Sequence, residues 1–145
     1  MTLFLFRLIG LVQIAGGFFG LSSMTYRLLA GGGGMHALVD ILGAVLYAFI
    51  LVAGVLLVAN DGRGQGLSMW AQGLQVPLLS LPLIHYELHA GAFFYLIVHL
   101  AQGAHIGIDY HVGTYGWGAW LGGGGSSRVG INLLAAVSWL ILKLR

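Results

Sequence analysis

Residues 85–89, His-Tyr-Glu-Leu-His, place two imidazoles four positions apart with a carboxylate between them. On a helix, histidines at that spacing share a face, and zinc proteases use them as metal ligands with a glutamate directly after the first. Here Glu87 comes two positions after His85. In a helix it would point about 200° away from that ring. It could not serve as base at a metal held by His85 and His89, so the protease chemistry is excluded. The pair then reads either as a two-histidine half-site or as ordinary polar residues at a helix entrance.

A second set offers more donors. His36 and Asp40 are four apart, as are His105 and Asp109, and His111 follows. If both pairs lie on helices that end at one membrane surface, three imidazoles and two carboxylates meet there. Such a set can hold zinc, copper or manganese, or pass protons. A third candidate is His99, which with Gln102 falls deep in an apolar run. A buried histidine can ligate a b-type haem. The sequence supplies no second histidine at matching depth, so an interhelical hydrogen bond to Gln13 or Asn132 is the competing role. A metal ion and haem b are therefore the candidate cofactors, and no cofactor at all is the favoured reading.

Other chemistries have no footing in the sequence. There are no cysteines, which removes disulfides, iron–sulfur clusters and thiolate metal sites. The six basic residues, Arg7, Arg27, Arg63, Arg128, Lys143 and Arg145, are scattered. No patch follows a phosphate backbone, so nucleic acid is not a partner. The chain contains no nucleophile elbow, Walker sequence or dinucleotide fingerprint.

The elements that would position these residues follow from composition. Hydrophobic residues make up 59% of the 145-residue chain and charged residues 7%. Soluble domains carry about 25% charged residues, so this chain has too little charge to cover a wet surface. It reads as one integral membrane domain, residues 1–145, whose N-terminal segment acts as a signal anchor. Apolar runs long enough to cross a bilayer place four spanning helices at about 3–21, 37–59, 83–108 and 127–144. The fold class expected is all-α, a bundle of four transmembrane helices. Leu67, Trp70, Ala71 and Leu74 recur at helical spacing, with Ser68, Gln72 and Gln75 on the opposite side. That pattern predicts a short interfacial helix between spans two and three, ended by Pro77.

Gly16 with Gly20, and Gly103 with Gly107, have the spacing of helix-packing motifs. Glycine runs at 31–34 and 122–125 read as outer loops, the second following an aromatic-rich segment that settles on the membrane surface. Four spans put both termini on one side. Arg7, Arg63, Lys143 and Arg145 share that side, against Arg27 and Arg128 on the other. The positive-inside rule then places the termini in the cytoplasm, in a bacterial inner membrane. The function expected is that of a non-catalytic accessory or structural subunit. Its partners would be lipids and other transmembrane subunits or copies of itself. The alternative is a histidine-based protein that handles a metal, haem or protons.

Overall fold

The computed structural model describes residues 2–31, 34–100, 103–121 and 127–144. It corrects the expected fold class, because the chain is not an all-α four-helix bundle. In order, its elements are α1 (Thr2–Leu29), α2 (Met35–Val58), α3 (Gly64–Gln75), β1 (Pro77–Ser80), β2 (Ile84–His99), β3 (His105–Leu121), β4 (Arg128–Asn132) and α4 (Leu133–Lys143). The expected spans at 83–108 and 127–144 are replaced by strands and one eleven-residue helix.

The reason lies in the period of the side chains. From Ile84 to Ala90 the sequence alternates apolar and polar at every step, and His105 to Val112 does the same. A period of two belongs to a strand with two unlike faces. The Phe93–Val98 run is aromatic and β-branched, which suits a pleated surface.

Two helices, α1 and α2, are long and apolar enough to cross a membrane. They pack as an antiparallel hairpin on a seam of small residues. A Cβ at Gly10 would meet Val58 and the Gly54 carbonyl, and one at Gly17 would meet the Leu51 backbone at 2.8 Å. In α1 the buried stripe is Phe6, Ile9, Gly10, Gln13, Gly16, Gly17, Gly20 and Met24, at helical period. The opposite side exposes Phe4, Leu8, Leu11, Phe18 and Phe19. The inward stripe carries four glycines and a glutamine beside Phe6, Ile9 and Met24, and the outward side is also lined with large apolar side chains, so α1 has no polar face turned to solvent along this stretch.

The short helix expected before Pro77 is present as α3, but its orientation is not the one its pattern suggests. Ser68, Gln72 and Gln75 are buried, and Trp70 stands exposed. The polar face is used for bonding inside the fold. Ser68 donates to the Gln13 side-chain oxygen at 2.9 Å, and the Ala90 N–H donates to Gln75 Oε1 at 2.9 Å.

The four-stranded sheet has the order β1-β4-β2-β3, and β1 also pairs with β2. The pairings β1–β2, β1–β4 and β2–β4 are all antiparallel. Three mutually antiparallel partners cannot surround a straight strand, so β2 has to reverse along its length. Its start pairs with β1 at His85 and Tyr86, and its end pairs with β4 from Tyr95 to His99. The bend falls between these segments, where Gly91 has φ +84° and the β2–β3 register shifts. A positive φ is open to glycine at little cost, and beside it β3 carries a bulge, where Gly113 (φ +81°) is the extra residue skipped in the pairing. The result is a small closed ring of β1, β4 and β2, with β3 running along the outside of β2.

Candidate functional site

In a strand, alternate side chains share a face. His85, Glu87 and His89 therefore stand in one row on β2, which a helix would not allow. The same face carries their cross-strand partners on β3, which are Trp120, Gly118 and Gly116. The two glycines make room for the rings. A Cβ at Gly116 would lie 2.1 Å from His89 Cε1, and one at Gly118 would lie 2.9 Å from His85 Nε2. Each histidine ring lies over bare backbone of the neighbouring strand. Trp120 stacks on His85, with ring centroids 3.8 Å apart and planes 14° from parallel. Phe93 and Tyr95 flank His89 at 4.4 and 6.1 Å.

Glu87 sits between the two imidazoles. Its Oε2 is 3.9 Å from His85 Nε2, and its Oε1 is 3.5 Å from His89 Nδ1. The bend in β2 brings Arg128 on β4 across the ring, to 3.9 Å from Glu87 Oε2. These separations exceed direct hydrogen bonds and lie within ion-pair range. Both histidines are buried, and Glu87 is half-buried. Burial pushes the Glu87 carboxyl above its usual range, against the pull of Arg128. Burial also holds His89 down to about 4, with Asp109 opposing, and lowers His85 with help from Arg128. Low polarity thus favours the uncharged form of all three groups. At neutral pH the row holds two neutral imidazoles and a carboxyl whose charge is disfavoured.

The other residues singled out from the sequence are dispersed. His36 is exposed near the start of α2. Asp40 is buried one turn later and pairs with Arg27 at 2.9 Å, so its carboxylate is already engaged. His105, Asp109 and His111 do share one face, but that face belongs to β3 and is exposed. The helix-end convergence that would have joined them to His36 and Asp40 has no basis once Ile84–His99 and His105–Leu121 are strands. Among the described residues no group of three or more His, Asp or Glu side chains is arranged to hold a metal ion.

His99 is half-buried at the end of β2, where its ring stacks on His105 at 4.6 Å and lies over Gly107. The hydrogen bond expected from His99 to Gln13 or Asn132 is not made. Gln13 bonds to Ser68, while Asn132 Oδ1 accepts from the Phe94 and Ala135 amides. Gln102 and Gly122–Gly125 lie outside the described residues. Gly103 and Gly107 flank and enter a strand, so they form no helix-packing motif. Gly16 does make a close contact, against the β2 backbone at Ala90 and Gly91.

Sequence reasoning missed Arg128, Trp120, Gly116 and Gly118 as members of the site. The alternation of glycine and aromatic residues in Tyr115–Trp120 was the available signal. Comparison with family models, curated proteins and solved structures finds no match.

Proposed function

We propose that the chain is a non-catalytic integral membrane protein that works by assembling with other transmembrane subunits or with copies of itself. The observation that carries this reading is the inverted distribution of polarity. Gln13, Asp40, Ser68, Gln75 and Asn132 are almost wholly buried, while Phe4, Phe18, Phe19, Val45, Ile106 and Val112 are exposed. Exposed apolar surface on this scale marks contact with lipid or protein. The basic residues support N- and C-terminal ends on the cytoplasmic side of a bacterial inner membrane. Phe6, Ile9, Leu57 and Leu142 pack in one cluster, which gathers Arg7, Arg63 and Lys143 toward one end of the hairpin.

The test is extraction followed by sizing. The protein should stay in membranes washed with alkaline carbonate. Its detergent-solubilised particle should contain more protein mass than one 15.4 kDa chain. Release by carbonate, or a strictly monomeric particle, would contradict the reading.

A second reading rests on the Glu87 row. A carboxyl with imidazoles on both sides, all held near neutrality, is suited to passing a proton between neighbours. In proteoliposomes carrying a pH-sensitive dye, the wild-type chain would then conduct protons and Glu87→Gln would not. Equal, background-level flux from both would leave the assembly reading alone.

A further inference from the structure

The β3 strand is the open edge of the sheet. Over residues 105–113 both of its faces are exposed, apart from the half-buried Gly107. Its main-chain groups can be assigned a direction. The Phe94 N–H donates to Asn132 Oδ1, on the β4 side of β2. Phe94 is the cross-strand partner of Tyr110. In an antiparallel ladder such a pair is the kind whose amides and carbonyls point away from each other. The N–H and C=O groups of Tyr110, and by alternation of Ile108 and Ile106, therefore point to the free edge. No hydrogen bond among the described residues satisfies them.

Natural edges are usually blunted by lysine or proline or by a covering segment. Residues 105–113 contain neither residue type. Ile106, Ile108, Tyr110 and Val112 form a bare apolar row, from 62% to 81% exposed. An unpaired edge of this kind is costly in lipid and prone to association in water.

The sequence of the edge is complementary to itself. If two copies run antiparallel with Tyr110 facing Tyr110, Asp109 of each copy faces His111 of the other. Ile108 faces Val112 in the same way, at the two ends of the paired run, and the bulge residue Gly113 (φ +81°) lies just beyond it. Polar residues meet on one face and apolar residues on the other, twice over. The Asp109–His111 positions become non-hydrogen-bonded pairs, where side chains approach closest. A shift of one residue would oppose apolar to polar along the whole run.

We propose that a second copy of this chain adds to the β3 edge in this Tyr110-centred register, joining two sheets into one across a twofold axis. The proposal rests on the assembly reading above and names its partner.

The chain has no cysteine, so one introduced thiol reports on one position. Tyr110→Cys should give a covalent dimer on mild oxidation in membranes, because facing Cα atoms in a ladder are within disulfide reach. Ile106→Cys should not. Its counterpart in the other copy would lie eight residues along, roughly 27 Å away. In the Tyr110→Cys background, Asp109→Lys should lower the dimer yield roughly tenfold. Adding His111→Asp should restore it.

Equal cross-linking at positions 106 and 110 would overturn the register. No cross-link from Tyr110→Cys in a particle that still exceeds one chain would overturn the edge contact and leave assembly standing through another surface. A carbonate-extractable, monomeric protein would remove both.

Discussion

Replacing Gly16 by alanine tests the contact that seats α1 on the bend of β2. A Cβ there would lie 2.1 Å from the Gly91 nitrogen, 2.2 Å from the Ala90 carbonyl carbon and 2.7 Å from Ala90 Cα. The nearest of these falls roughly 1.4 Å short of van der Waals contact. All three atoms are backbone, so no rotamer change relieves the clash and the helix has to move off the strand. Overpacking of this kind costs about 3 kcal/mol at its usual upper end. Alanine gains back about 1 kcal/mol in helix propensity over glycine, leaving a net loss of about 2 kcal/mol.

Gly66 in α3 is the matched control, because nothing lies within 4 Å of a Cβ built there. Gly66→Ala should stabilise by about 1 kcal/mol. One substitution type then acts with opposite signs at two helical sites, about 3 kcal/mol apart. In thermal unfolding followed by circular dichroism in mild detergent, the two variants should differ by roughly 6–12 °C. If Gly16→Ala melts with the wild type, α1 does not rest on Ala90 and Gly91, and the described packing of helix against sheet is wrong.

Two further outcomes follow from buried polar groups. Burial lowers His89 to about 4 in the folded chain, below the usual 6.5. The neutral ring's contribution is complete above pH 6.5 and is lost as the pH falls toward 4, by up to about 3 kcal/mol. The raised Glu87 value works in the opposite sense, adding stability as that carboxyl protonates. His89→Leu keeps the Glu87 effect and should flatten the acid-side loss in a pH series of melting temperatures. An unchanged acid limb would show that His89 is not held neutral by the fold. Asn132 caps α4 and also accepts from the Phe94 amide, so Asn132→Ala should cost about 2 kcal/mol in the same melting assay. A change below about 0.5 kcal/mol would mean that neither bond contributes.

The helical half of the fold was open to sequence reasoning, and the sheet was hidden for a specific reason. Long apolar runs gave the positions of α1 and α2, and Pro77 marked the end of α3. Mean hydropathy over some twenty residues cannot separate a spanning helix from two long apolar strands. In residues 83–108 it averages away the very alternation that defines β2 and the start of β3. The same averaging concealed the site. Glu87 points away from His85 and His89 on a helix and aligns with them on a strand, so an error of period became an error of chemistry.

Arg128 reaches Glu87 only because β2 reverses near Gly91. That reversal depends on pairings between distant segments, which local pattern does not reveal. The direction of α3 was misjudged on another ground. An interfacial helix turns its polar face to water, whereas here that face is buried, where Gln13 and Ala90 offer partners.

The membrane protein proposed above requires that the apolar surface left uncovered by protein be shielded from water. Phe18 on α1 and Val52 on α2 are 56% and 52% exposed, and Asn60 is exposed just beyond α2. Single cysteines at these positions, in the cysteine-free chain, can be challenged in opened membrane vesicles with a water-soluble maleimide. Asn60→Cys should label within minutes, while Phe18→Cys and Val52→Cys should stay unlabelled until detergent and denaturant are added. Rapid labelling of all three in intact bilayers would place α1 and α2 in water and contradict the proposal of a membrane-embedded protein.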